Sequence, residues 1–266
     1  CADAGVEALG YIPKDESIVI PSRHLGLSID ETFCFDAFAD RVAEVIDKTV
    51  NVDRLLELCT VEFSGEQTEG VICSGNRKIA IARDEAFNFM YRENVEALKR
   101  AGEVVFFSPL RDKSLPEADM VYFPGGYPEL HLAELAANEE MRQSVRKYCE
   151  TGGRVLAECG GMMYLCDTIT GDDGKVYPMA GVLKQGATME QMKLKLGYRE
   201  VRVNGQRIRG HEFHYSRILP ANEKIPVIGT IYNAKDMVVD TPVYTYKNVL
   251  ASYIHFYWGE CGMDHF

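Results

Sequence analysis

Apolar and polar residues alternate with two different periods along this chain. Lys78-Ile79-Ala80-Ile81-Ala82, Val104-Val105-Phe106-Phe107, Met120-Val121-Tyr122-Phe123 and Arg154-Val155-Leu156-Ala157 are short apolar runs. Runs of that length read as strands buried on both faces. Between them the spacing lengthens to the helical period. A helix is predicted from Tyr91 to Ala101, with Val95 and Leu98 inward and Gly102 as its stop. Another runs from about Glu139 to Glu150, stopped by Gly152-Gly153, and a third starts at Gly160. This alternation predicts an α/β fold: a mostly parallel, doubly wound sheet with helices on both faces. After residue 176 the pattern turns towards β. Val201 to Ile208 reads as a hairpin around Asn204-Gly205, and Val249 to His255 as a final strand, so extra β elements are expected in the C-terminal third.

The N-terminal part has a different texture. Ala8 to Ile12, ended by Pro13, and Ile18 to Ile20, ended by Pro21, read as strand, turn, strand. Ser22 to Leu27 has no period and reads as an ordered loop. Phe35, Phe38, Val42, Val45, Ile46 and Thr49 follow helical spacing, and a second short helix starts at Asp53 as N-cap and carries Leu55, Leu56 and Leu58. Residues 63–76 are polar and glycine-rich, which predicts a linker between a first domain, 1–62, and a second, 77–266.

Composition narrows the function classes. The 266 residues carry 29 Lys and Arg against 40 Asp and Glu, a net charge of -11. That balance argues against a nucleic-acid binder, which needs a basic footprint, and against an anionic membrane surface. No apolar stretch approaches the roughly 20 residues of a membrane span, and the first ten residues do not resemble a signal peptide. The eight cysteines (1, 34, 59, 73, 149, 159, 166 and 261) form no C-x-x-C pair. Reduced thiols in the cytoplasm are the expectation. The chain opens on Cys1 rather than Met, which reads as a fragment of a longer protein.

Candidate chemistry begins at Leu156-Ala157-Glu158-Cys159-Gly160-Gly161. A buried strand runs into a small-residue turn and then a helix, which presents Cys159 as a nucleophile at the carboxyl end of the sheet. A lone cysteine is ordinarily a small buried apolar residue, and only this strand–turn–helix setting raises it above that. Phe123-Pro124-Gly125-Gly126-Tyr127-Pro128-Glu129 follows another strand. Its glycines free backbone N–H groups to face a developing oxyanion, although a plain tight turn has the same residues. A cysteine nucleophile needs a histidine base. His24 precedes the linker, His131 lies at a surface helix start and His265 is near the C-terminus. His211 and His214 remain in Gly210-His211-Glu212-Phe213-His214-Tyr215-Ser216, as does His255 on the last strand. Chain order favours His255. The His-Glu-Phe-His spacing is one short of a zincin, so no metal site is assigned.

These segments, with Ala86-Phe87-Asn88-Phe89 and Phe107-Ser108-Pro109-Leu110, resemble the cobyrinate a,c-diamide synthase family, in its C-terminal class I glutamine amidotransferase domain of the cobalamin-pathway type. Pro21-Ser22-Arg23-His24-Leu25-Gly26-Leu27 resembles the end of that family's ATP-dependent synthetase domain, so the resemblance makes 1–62 a remnant of it. The resemblance implies that glutamine is hydrolysed and that its ammonia amidates carboxylates a and c of a cobyrinic acid-type tetrapyrrole. Cys159 maps to the family's nucleophile and His255 to its base. Gly126 and Gly160 are assigned to the oxyanion hole. Tyr127, His211, Glu212 and His214 are assigned loosely to the substrate rim or to an interface with the synthetase domain, and a structural role at a strand edge fits them equally well. Many class I amidotransferases carry Glu two residues after the base; here that residue is Tyr257. ATP and Mg would serve the parent synthase, but this chain contains no G-x-x-x-x-G-K-[ST] loop, so no cofactor is expected for it. Three rivals stand beside this expectation: the same chemistry on Ni-sirohydrochlorin or hydrogenobyrinate, a catalytically silent docking module, and a cysteine hydrolase of other amides.

Overall fold

A computed structural model describes residues 1–20, 22–23, 26–27, 33–61, 75–219, 221 and 224–259. The chain divides into two units, Cys1–Glu69 and Gly70–Phe266. Most of the predicted linker, with His24, Cys73, Cys261 and His265, lies outside the described residues.

In the first unit, two-residue strands β1 (Ser22–Arg23) and β2 (Gly26–Leu27) pair antiparallel, within the segment read as a loop. Helices α1 (Phe35–Thr49) and α2 (Val52–Cys59) follow. The strand–turn–strand expected over residues 8–20 does not form. Gly10 makes an isolated bridge with Val50, and Glu16–Ile18 is a 3-10 turn capped by Asp15, whose side chain accepts from Ser17 N at 2.8 Å. Two runs of three to five residues, each closed by a proline, build too short a ladder to stand alone. The cap of α2 is Asn51, which accepts from Arg54 N at 3.0 Å, rather than Asp53, which sits in the first turn.

The second unit holds strands β3 (Arg77–Ala82), β4 (Gly102–Phe107), β5 (Met120–Phe123) and β6 (Arg154–Glu158), with helices α3 (Arg92–Ala101), α4 (Leu132–Ala137) and α5 (Glu139–Glu150) between them and α6 (Gly160–Leu165) after β6. Strands β7 (Cys166–Thr170), β8 (Val176–Pro178), β9 (Leu183–Thr188), β10 (Lys195–Val203), β11 (Gln206–His214), β12 (Arg217–Ile218), β13 (Thr230–Asn233), β14 (Val243–Tyr246), β15 (Val249–Ser252) and β16 (Ile254–Tyr257) complete it. The main sheet has the order β4-β3-β5-β6-β15-β14. All its pairs are parallel except β14 with β15 at the edge.

The period of two sorts this sheet into faces. Ala80, Ala82, Val121, Phe123, Val155, Ala157, Val249 and Ala251 join Leu135, Met141, Val145 and Leu165 from α4, α5 and α6 in one core. Ile79, Ile81, Met120, Tyr122 and Leu156 join Leu98 of α3 and Val201, Ile208, Ile254, Phe256 and Trp258 in the other. Helices lie on both faces, as the alternation predicts. The C-terminal β elements form two further sheets, β13-β10-β11-β16 and β12-β9-β7-β8. On α3 the inward set differs from expectation: Leu98 is fully buried, Val95 is only half-buried and Asn94 is buried beside it.

The predicted hairpin forms and is longer than expected. Val203 faces Gln206 across Asn204-Gly205, Asn204 takes φ 49, and the ladder continues to Lys195 opposite His214. The predicted final strand is two strands. β15 runs beside β6 as far as Ser252, whose Oγ accepts Ile254 N–H at 3.2 Å. β6 ends at the same level, so the ladder has no further partner, and the chain crosses at Tyr253 to join β11 as β16. Among the described residues no helix is long and apolar enough to cross a membrane.

Candidate active site

Cys159 stands between β6 and α6 with φ 46 and ψ -105, a left-handed conformation that a side chain bearing Cβ rarely takes. The surroundings hold it there. Cys159 N–H donates to Ser252 O at 2.8 Å, and Cys159 O accepts from Met163 N at 3.0 Å. Ala157 before the turn is fully buried. The thiol approaches Phe213 O of β11 at 3.9 Å. Burial and the nearby Glu129 charge push the thiol's pKa up, while the Gly160 N–H at the sulfur opposes them.

His255 lies on β16, 4% exposed. Its pKa is lowered to about 3, first by burial and then by His211 and His214. Phe89 meets the ring edge-on (centroids 4.7 Å, 70°), and His211 stacks on it at 4.7 Å and 12°. Gly125 packs against the same ring so closely that a Cβ there would overlap Cε1. The backbone of the next residue is held from both sides. Phe256 N–H donates to Glu158 Oε1 at 3.2 Å, and Asn94 Nδ2 donates to Phe256 O at 2.7 Å.

The glycine loop after β5 is pinned to Ala86–Phe89. Phe89 N donates to Gly125 O at 3.0 Å and Tyr127 N to Ala86 O at 2.9 Å. Between those two anchors, Gly126 N–H finds no acceptor among the described residues. It is also close to the elbow: a Cβ on Gly160 would stand 3.3 Å from Gly126 N and 2.7 Å from Pro128 Cδ. The two glycines assigned to the oxyanion hole are therefore neighbours, next to Cys159, and Gly125 joins that loop to His255.

The His-Glu-Phe-His segment divides into two roles. Glu212 and His214 are buried in a polar network. His214 Nε2 lies 2.8 Å from Glu212 Oε1, Nδ1 lies 2.7 Å from Ser216 O, and the ring stacks on Tyr253 at 3.5 Å. Arg199 Nε and Thr241 Oγ1 donate to Glu212 Oε2 at 2.7 and 2.8 Å. Burial opposes ionisation of Glu212, yet these partners hold its pKa at about 2. A buried carboxylate with three hydrogen-bond partners is a structural anchor. His211 instead faces His255. Tyr127 is half-buried at the start of the 3-10 turn Pro128–Leu130. Among the described residues no cluster of His, Cys, Asp and Glu could hold a metal ion.

Four neighbours escape a reading of the sequence: Phe89, Asn94, Glu129 and Glu158. Glu158 is buried, takes a 2.7 Å bond from Tyr122 Oη, and has its pKa raised to about 8 by burial. Glu129 is raised to about 7 by burial. Glu158 carries a visible signal, a charge closing an apolar strand, and Asn94 another, a polar residue four before Leu98 on the inward stripe. Phe89 and Glu129 lie in segments that carry the family resemblance, but nothing there marks them as neighbours of Cys159 or His255.

Residues 78–262 match the CobB/CobQ-like glutamine amidotransferase domain. The chain belongs to that family, the class of protein that its sheet and cysteine elbow define. Among its relatives, a cobyrinate a,c-diamide synthase of Salmonella typhimurium is 34% identical over 95% of this chain and 58% of its own length. A hydrogenobyrinate a,c-diamide synthase of Pseudomonas aeruginosa is 36% identical over 97% of this chain and 58% of its own. The chain thus spans less than two thirds of the relatives it matches. Among solved structures, a glutamine amidotransferase aligns with TM-score 0.45 and 23% identity over 66% of this chain and 89% of that one.

Proposed function

We propose that this chain hydrolyses glutamine and supplies the ammonia for an a,c-diamide synthase acting on a cobyrinate- or hydrogenobyrinate-type tetrapyrrole in the cytoplasm. The observation that carries the reading is the Cys159 elbow, held at positive φ with the Gly160 N–H and the Gly126 N–H, unbonded among the described residues, beside it. Cys159 attacks the side-chain amide carbon of glutamine as its proton passes to His255. Gly126 and Gly160 N–H groups hold the tetrahedral oxyanion, each donor contributing about 2.7–4 kcal/mol. His255 returns the proton to the leaving ammonia, and a water activated by His255 then hydrolyses the thioester and frees Cys159.

The tetrapyrrole half of the reading rests on the relatives' names, and both corrinoid acids occur among them at similar identity. ATP and Mg enter only through the resemblance. No Walker-type phosphate loop occurs in the 266 residues.

Covalent labelling with a diazoketone analogue of glutamine tests the reading. One adduct is expected, on Cys159, blocked by excess glutamine and absent from Cys159→Ala, with glutaminase turnover falling to background in that variant. A thiol that reacts with a generic alkylator but not with the glutamine analogue would instead support the docking module. Turnover of amides unrelated to glutamine would support the hydrolase.

A further inference from the structure

A catalytic histidine must be held with one nitrogen towards its proton partner, and in triad enzymes a carboxylate on the far nitrogen does this. Among the described residues His255 has no such partner. The residue two places on is Tyr257, whose ring meets Tyr91 edge-on at 5.4 Å and 86°. The buried Nδ1 of His255 makes no hydrogen bond among the described residues. What fixes the ring is packing. His211 and His255 are directly opposed in the β11–β16 ladder, so their near-parallel stack follows from the strand register. His211 is itself held: Nδ1 and Tyr91 Oη share a 2.6 Å hydrogen bond, and the Phe89 and Tyr91 rings meet it edge-on at 5.6 and 5.9 Å.

We propose that His211 is the positioning residue for His255, supplying by ring stacking the orientation that a carboxylate gives in a triad, with Tyr91 locking His211 through Nδ1. The proposal rests on His255 being the base of the reading above. A rotation of the His255 ring about its Cβ–Cγ bond has to turn a ring edge into the face of His211 on one side and meet Phe89 and Gly125 on the others. The titratable groups facing His211 are Tyr91 from the α3 cap, Tyr198 opposite it on β10, and His255 and Tyr257 on β16, with His214 three residues along its own strand. Burial disfavours a charge on His211, so a proton arriving on His255 meets a neutral ring face.

The test compares the 266-residue chain with His211→Ala, His211→Phe and Tyr91→Phe. His211→Ala is expected to lower kcat for glutamine hydrolysis by about tenfold or more, with KM within about twofold. His211→Phe keeps a stacking ring and should recover most of kcat, and Tyr91→Phe should fall between. Histidine 15N NMR gives a readout independent of turnover: the His255 ring nitrogens should report one tautomer in the unaltered chain, an average in His211→Ala, and one again in His211→Phe. Unchanged kcat and unchanged His255 signals in His211→Ala would overturn the proposal, as would a loss confined to KM, which would place His211 on the substrate. If the unaltered chain shows no Cys159-dependent turnover, the catalytic reading fails, and the His255 signals still decide the positioning.

Discussion

At the residue scale, burial drives both partners of the proposed dyad towards their neutral forms. His255 has an ordinary pKa of 6.5 and one of about 3 here, so between those values the unfolded chain binds a proton that the folded chain refuses. Stability therefore falls as the pH drops from about 6.5 towards 3. Glu158 works in the opposite direction. Raised from 4.5 to about 8, it keeps a proton in the folded state that the unfolded chain releases, and stability falls as the pH rises through that window. In urea titrations, His255→Asn should flatten the acid side of the stability profile. Glu158→Gln, which keeps one oxygen to accept from Phe256 N–H and leaves Tyr122 Oη to accept from its amide NH2, should flatten the alkaline side and stabilise the chain near pH 8. A Glu158→Gln profile parallel to that of the unaltered chain would show that Glu158 is ionised in the fold. Cys159 and His255 were legible as candidates because a strand–turn–helix and chain order point to them. The ring stack on His255 was not, because a cross-strand contact depends on a register that a single strand's sequence does not specify.

At the scale of elements, α3 and β16 are joined through Asn94, whose amide donates to Phe256 O at 2.7 Å and accepts from Trp258 N at 2.9 Å. Replacing it with Ala removes both of these hydrogen bonds, each worth about 0.5–1.5 kcal/mol. Asn94→Ala should therefore lose about 2 kcal/mol or more by chemical denaturation and slow glutamine turnover, because β16 carries His255. The parallel strands and α5 lie close to their predicted bounds, since a doubly buried strand and an amphipathic helix each write their period into the sequence. The last strand was misread for the complementary reason. Val249 to Ile254 is continuously apolar apart from Ser252, but β6 stops at Glu158, and the end of a neighbour leaves no mark on the strand beside it. The 8–20 strands failed because β propensity without a partner edge does not make a ladder.

For the second unit as a whole, the site is gathered from five stretches: residues 86–89, 125–129, 158–160, 211–214 and 252–256. Such non-local assembly makes the site a property of the complete sheet arrangement. The chain has one tryptophan, Trp258, fully buried three residues after His255. Its fluorescence should be lost at the same urea concentration as the analogue-labelling of Cys159. Separate midpoints would show that the antiparallel sheet loosens before the parallel one. The alternating texture of the sequence was enough for the main sheet. How the C-terminal β elements divide into two further sheets was not legible there, because it is settled by which strand ends where.

The close seat of Gly125 against the His255 ring has a consequence in genetic terms. From a glycine codon, every missense change adds at least a Cβ, and here the smallest of them already overlaps the imidazole. Codon 125 therefore has no conservative neighbour. In a saturation-mutagenesis library selected for glutamine-dependent growth, only its synonymous variants should survive.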